Sequence, residues 1–294
     1  MRFLITGDWH ATDKRPENRI DDYWQSFLGK LKFIMGIEAD YRIQPGDLTD
    51  SPALSYEAFC ELIHIIKGTI TTWGQHDLRF RNKSNTALRA LEASLFDEGD
   101  LTVLSQTEDP VMECNKGNVI IHGCGYNEDI PKPIVGAFNI LLIHKMIVEE
   151  KIWNKQEDFE WASSFIRRNK FDLIVSGDNH QFFTANFDNR YLFNCGSLMR
   201  STTAQLEHKP KVVLFDTDSR RARIIEVPIE PAEKVFRLDE VLKEKERDEK
   251  LDAFISGLTQ HKEMSLSFEE NLNAYAKENK INPKIMNIIK ECMV

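Results

Sequence analysis

Phe171-Asp172-Leu173-Ile174-Val175-Ser176 runs straight into Gly177-Asp178-Asn179-His180. An apolar, β-prone run stops at a glycine, and two side chains able to hold a cation follow it. Four other segments also carry a short β-type run that stops at Asp, His, Asn or Gln, three of them behind a glycine. Phe3-Leu4-Ile5-Thr6 precedes Gly7-Asp8-Trp9-His10, and Tyr41-Arg42-Ile43-Gln44 precedes Gly46-Asp47-Leu48-Thr49-Asp50. Thr69-Ile70-Thr71-Thr72-Trp73 precedes Gly74-Gln75-His76-Asp77, and Ile140-Leu141-Leu142-Ile143 precedes His144. Short apolar runs closed by polar clusters read as buried strands. In α/β sheets ligands gather at the carboxyl ends of strands, so donors distant in sequence converge in space.

Working outward, the first three runs alternate with helical patterns. Ile20, Tyr23, Trp24, Phe27, Leu28, Leu31, Ile34 and Met35 recur at spacings of three and four and end near Gly36, an amphipathic helix. Ser51-Pro52 offers a cap and first-turn proline for a second helix through Leu62 and Ile66. A third helix is expected near 86–96, capped by Ser84 or Asn85. This β-α-β-α-β start implies parallel strands under covering helices. From 101 to 143 short runs separated by Gly, Pro and Asn suggest added strands, some antiparallel. A helix near 155–168 and hairpins at 182–194 and 211–227 follow. Composition shifts at Pro228-Ile229-Glu230-Pro231. The expectation is a working domain over 1–230 and a helical extension over 231–294. The extension would hold a charged helix at about 239–258, a capping box at Ser267 and a last helix from Asn282.

The chain has 294 residues, a net charge of −9 and five cysteines without a C-x-x-C pair. The acidic balance gives no general attraction to nucleic acid, although a site rich in carboxylates loses part of that charge to bound cations. No apolar run is long enough to cross a bilayer as a helix. The N-terminus enters a strand-like run without a secretory leader, and the cysteines read as reduced thiols. A cytoplasmic protein is expected.

Asp8, His10, Asp47, Gln75, His144, Asp178 and His180 are seven candidate metal ligands at five strand ends. Their oxygen and imidazole donors suit manganese, magnesium, iron or zinc, with no thiolate to force zinc. Two cations about 4 Å apart clamp a phosphate and activate water for in-line attack. His76, beside Gln75, is expected to help a leaving oxygen depart, with Asp77 as its carboxylate partner fixing the imidazole tautomer. Asp50 reads as a turn or cap residue. Arg79, Arg81 and Arg200 are candidate phosphate contacts.

Those five clusters resemble the calcineurin-like metallophosphoesterases, whose motifs run D-x-H, GD-x-x-D, GNH-D/E, a lone H and GH-x-H. The resemblance implies a mixed α/β fold, a four-layer αββα sandwich, with the C-terminal helices as a small appendage. It places Asp8, His10 and His180 on one metal, Gln75, His144 and Asp178 on the other, and Asp47 between them. Gln75 stands where the family has Asn, and Asp178 where it has His, a harder donor expected to favour manganese or magnesium. Within the family the chain is most similar to the nuclease subunit of SbcCD-type DNA-repair complexes of bacteria and phages. Gly74-Gln75-His76-Asp77-Leu78-Arg79 and Asn194-Cys195-Gly196-Ser197-Leu198-Met199-Arg200 carry that likeness, with Cys195 in place of a proline. It implies a DNA exo- or endonuclease using a two-metal-activated hydroxide. It also implies an ATPase partner on the C-terminal helices and a possible homodimer. A phosphatase or small-molecule phosphodiesterase, and a catalytically weak DNA- or partner-binding subunit, are the alternatives.

Overall fold

The structure, a computed structural model, describes residues 1–95, 101–114, 118–151, 156–238, 247, 250, 268–282, 285, 286 and 289. Two compact units are present, Met1–Phe236 and Arg237–Val294. In the first, strands β1 (Arg2–Ile5), β2 (Tyr41–Gln44), β3 (Thr69–Thr72) and β4 (Leu101–Leu104) alternate with helices α1 (Tyr23–Met35), α2 (Tyr56–Ile65) and α3 (Ala87–Ser94). Then come β5 (Val111–Cys114), β6 (Val119–Cys124), β7 (Phe138–His144), β8 (Ile147–Val148), β9 (Glu160–Trp161), α4 (Ala162–Arg168) and β10 (Leu173–Gly177). The hairpins β11 (Phe183–Phe187) with β12 (Arg190–Asn194) and β13 (Lys211–Asp216) with β14 (Arg221–Glu226) follow, then a short helix α5 (Ala232–Val235).

One six-stranded sheet has the order β14-β13-β1-β2-β3-β4, and a second has the order β11-β12-β10-β7-β6-β5. The inner strands of each are parallel. Antiparallel partners join at the edges. Side chains alternate along each strand, so every buried strand feeds two cores. Phe3 and Ile5 meet Ile140, Leu142, Leu173 and Val175 between the sheets. Leu4 turns to the other face, against Phe27, Leu31, Leu62 and Leu88 of α1 to α3. Leu141, Ile143 and Ile174 turn outward onto Phe165 and Ile166 of α4. Helix, sheet, sheet, helix: the fold is the mixed α/β sandwich of four layers. Truncating a fully buried leucine such as Leu31 to alanine costs about 2–5 kcal/mol.

Several local expectations shift. α2 is capped by Ser55, which accepts from the Ala58 amide, not by Ser51. α3 is capped by Thr86, not by Ser84 or Asn85. Within the stretch expected to be helical over 155–168, Glu160–Trp161 form β9, paired with β8, and the helix starts only at Ala162. The first unit continues past Pro231 because α5 returns to the N-terminal loop, where Ile20 N donates to Val235 O. In the second unit the described helix is Phe268–Glu278. Most of the charged helix at 239–258, the cap at Ser267 and most of the last helix lie outside the described residues.

Candidate metal centre

The five polar clusters meet where the carboxyl ends of β1, β2, β3, β7 and β10 come together. The loops are stitched backbone to backbone: Trp9 and His10 amides donate to Asp47 O, Asp8 N to Gly196 O, and Leu198 N to Asp8 O. Two glycines permit this approach. A Cβ at Gly74 would overlap the backbone and carboxylate of Asp47, and one at Gly177 would press on Asp8 Oδ1 and His144 Nδ1. His10 (φ 46°), Asp47 (φ 51°) and Asp178 (φ 75°) are left-handed, a conformation costing a non-glycine residue about 1–2 kcal/mol. Strain of this kind persists only where the surroundings over-determine it, and it clusters at functional sites.

Asp8, His10 and His180 bring donor atoms within 4.8 Å of one another, as do His10, Asp47 and His76. His10 Nε2 and His180 Nε2 are 3.0 Å apart. Asp47 Oδ2 lies 3.3 Å from His144 Nε2 and 3.7 Å from His10 Nε2, between the two groups expected on separate cations. Asp8 Oδ2 is 3.8 Å from His180 Nε2 and accepts from the Asp178 amide at 2.8 Å. Gln75 Nε2 reaches Asp178 Oδ1 at 3.4 Å. Gln75, His144 and Asp178 also line one cavity of about 290 Å³. All seven expected ligands therefore converge.

Asp8 Oδ1, Asp47 Oδ2, His10 Nδ1 and His144 Nε2 are buried without a hydrogen-bond partner. Leaving such an atom unpaired costs about 1–3 kcal/mol. His144 Nδ1 donates to the Pro45 carbonyl at 2.9 Å. That bond fixes the tautomer and turns the Nε2 lone pair into the cluster. Unpartnered oxygen and imidazole lone pairs facing one point fit hard divalent cations.

The charge balance says the same. Burial pushes Asp8 well above the ordinary carboxyl range and His10 down to about 3. Burial also works to raise Asp47, but the imidazoles of His144 and His10 outweigh it and hold the group low. For His144 burial is overcome by Asp47 and then Asp8, and the ring is pushed up to about 10. Asp8 and Asp47 move in opposite directions because His144 pairs with Asp47 first.

His76 stands at the rim. Its amide donates to Asp47 Oδ1 and its Nδ1 to the carbonyl of Asp50, both at 2.8 Å. Its ring meets that of His10 edge-on at 4.8 Å. The expected pairing of His76 with Asp77 does not form. Both oxygens of buried Asp77 accept from Leu48 N, Thr49 N, Thr49 Oγ1 and Gly74 N, so Asp77 ties two loops together. Asp50, read as a turn residue, takes the orienting role through its main chain, and its Oδ1 lies 3.6 Å from His10 Nδ1.

Arg200 is not a phosphate contact either. It is 3% exposed and donates to the carbonyls of Leu206 and Glu230, while its own carbonyl accepts from Arg19. Arg79 and Arg81 are exposed. Sequence reasoning missed two supports. Asn194 Nδ2 donates to the carbonyls of Asn179 and Gln181, on either side of His180. His208 donates from Nε2 to Ser197 O at 2.7 Å. Asn194 opens a stretch already singled out, but nothing in the sequence marks His208.

An αββα sandwich with these donors at its strand ends defines a metallophosphoesterase. The chain belongs to the calcineurin-like phosphoesterase family, whose model matches residues 1–182. It is a hydrolase of phosphoester bonds, from a family that uses divalent metals. Similar solved structures include a protein from Thermus thermophilus at 14% identity, covering 77% of this chain and 99% of that one, with a TM-score of 0.49. The phosphopantetheinyl hydrolase of Mycobacterium tuberculosis is 12% identical over 76% and 95% of the two chains, TM-score 0.45. An archaeal phosphodiesterase is 15% identical over 77% and 99%, TM-score 0.43. No curated protein sequence matches the chain.

Proposed function

We propose that the chain is a two-metal phosphodiesterase acting on DNA, of the SbcCD-type nuclease kind. The observation that carries this reading is the shape and charge of the cleft. The cavity at Gln75, His144 and Asp178 shares Tyr126, Asn127 and Glu128 with a second of about 450 Å³ beside Arg81 and Asn82. A groove longer than a phosphomonoester needs thus leads away from the cluster. Exposed Arg81 lines it, and neither Arg81 nor the exposed Arg79 two residues before it has an ion pair among the described residues.

Asp8, His10 and His180 would hold one cation, Gln75, His144 and Asp178 the other, with Asp47 shared. Bound there, divalent cations supply Lewis acidity toward the phosphate and lower the pKa of water. Asp178 in a position that otherwise carries histidine favours manganese or magnesium. The protein's own part is positional. Pro45 and Asp50 carbonyls hold His144 and His76 in single tautomers. His76 presents Nε2 to the departing oxygen, where its protonated form delivers a proton. The bond from phosphorus to that oxygen breaks as the attacking water's oxygen bonds on the opposite side.

Linear, plasmid and single-stranded DNA, assayed beside bis(p-nitrophenyl) phosphate and p-nitrophenyl phosphate with manganese, test the reading. Cleavage of DNA and of the diester, reduced about 100-fold or more in His76→Ala, is expected. Turnover of the monoester alone would replace it with a phosphatase, the assignment that the net charge of −9 favours.

A further inference from the structure

Phe80 is 95% exposed, at the tip of a turn four residues beyond His76. The turn is closed by reciprocal backbone bonds, Arg79 N to Asn82 O and Asn82 N to Arg79 O, both 2.9 Å. Phe80 (φ 51°) and Arg81 (φ 61°) are both left-handed, the pattern of a two-residue type I′ turn. Such turns strongly prefer Asn-Gly or Asp-Gly, because a side chain at positive φ is strained. Here a phenylalanine and an arginine occupy both strained positions, and a ring this exposed gains no packing that would compensate. Neither folding nor solubility favours that choice.

The surroundings narrow what it is for. The neighbouring cations are committed: Lys83 pairs with Glu128 at 2.8 Å, and Arg89 with Glu92 and Glu108. Arg79 and Arg81 have no ion-pair partner among the described residues, and Arg81 lines the cavity that adjoins the metal cleft. An exposed aromatic ring with an unpaired arginine on either side in the sequence, one of them lining the cavity that adjoins the metal cleft, matches a strand of unpaired nucleotides. Bases stack on aromatic rings while cations track the phosphates.

Resting on the DNA reading above, we propose that Phe80 is a stacking platform for an unpaired base and that Arg79 and Arg81 hold the adjoining phosphates. The turn then selects single-stranded segments or frayed ends over intact duplex. Because the ring meets a base face and not a base edge, it imposes no sequence preference. Fixing Phe80 in a tight turn, not on a flexible loop, keeps the platform at a constant distance from the cluster.

Fluorescence anisotropy with a single-stranded oligonucleotide and a blunt duplex, together with 2-aminopurine emission in the single strand, tests the assignment. The full chain carrying His76→Ala, in buffer with chelator and no divalent metal, avoids turnover. In that background Phe80→Ala and Phe80→Leu are expected to weaken single-strand binding roughly tenfold and to abolish 2-aminopurine quenching. Duplex binding should change about twofold or less, and Phe80→Trp should restore both signals. Arg79→Ala and Arg81→Ala should each lower the slope of log affinity against log salt by about 0.7. Unchanged single-strand affinity and quenching in Phe80→Ala, in a chain that binds DNA, would overturn the platform and leave the nuclease reading intact. A chain that binds neither DNA form while hydrolysing small diesters would overturn both.

Discussion

Asp77 and Asp8 are both buried carboxylates at strand ends in the same cluster of loops, and they are treated in opposite ways. Asp77 accepts hydrogen bonds from three backbone amides and one hydroxyl, so its oxygens are fully used inside the protein. Asp8 accepts from one amide and leaves Oδ1 unpartnered. The arginines repeat the contrast. Arg200 is buried, donating to two carbonyls and lying over the Phe236 ring, whereas Arg79 and Arg81 face solvent. Spent polar atoms hold the fold, and unspent ones are held open for something else. Residue type and motif position do not distinguish the two uses.

The largest test of that division is at Asp47. Asp47→Asn should reduce phosphodiester hydrolysis about 1000-fold or more, because cation stabilisation of a phosphoryl transition state supplies several kcal/mol. Bound metal, measured by elemental analysis, should fall with it. Full metal content in the variant would sink the assignment of Asp47 as the shared ligand.

Asp77→Ala should behave in the reverse manner. Four donors lose their acceptor, three of them backbone amides of two different loops. Unfolding free energy in urea should fall by about 3 kcal/mol or more. Should the variant instead unfold like the wild type while its pH–rate profile shifts, Asp77 would be the partner of His76 after all.

The five strand ends were legible in the sequence because each motif is local: a β-prone run and then, in four of the five, a glycine and donors close together, with His144 alone closing the fifth. Where several small polar residues follow one another, local pattern does not choose. Ser51 and Ser55 both suit a cap, and so do Ser84, Asn85 and Thr86. Packing decides, since the Pro52 carbonyl accepts the Ala87 amide at 2.8 Å and fixes where both α2 and α3 begin. Partners supplied by carbonyls are equally invisible. Nothing in the side-chain sequence says that Asp50 orients His76 through its main chain, or that Arg200 ends among Leu206, Glu230 and Phe236.

A third, smaller effect separates the cluster with metal from the cluster without it. In chelated protein His144 is pushed up from 6.5 to about 10. A raised value means that the folded state holds the proton more tightly than the unfolded one. Its stabilisation is complete below pH 6.5 and is lost as pH rises through 10, at no more than about 1.4 kcal/mol per pH unit. Cation binding requires the unprotonated ring, so metal-loaded protein should not show this decline. Denaturant midpoints of chelated wild type and His144→Gln across that window test it. A slope that survives in His144→Gln would assign the proton elsewhere.

The smallest effect falls on the unspent side of the comparison. Phe80 is held at positive φ, which costs a residue with a Cβ about 1–2 kcal/mol. Glycine removes that strain but gives back roughly 0.5–1 kcal/mol through the greater freedom of the unfolded chain. Phe80→Gly should therefore stabilise the protein by about 0.5 kcal/mol, whereas Phe80→Ala, which keeps a Cβ, should leave stability nearly unchanged. Urea unfolding of the three chains resolves the order. If glycine destabilises the turn, the ring makes a structural contribution and Phe80 belongs with Asp77 and Arg200. If glycine stabilises it while single-strand binding is lost, the strain is retained for binding, as the unpaired oxygens of Asp8 and Asp47 are retained for cations.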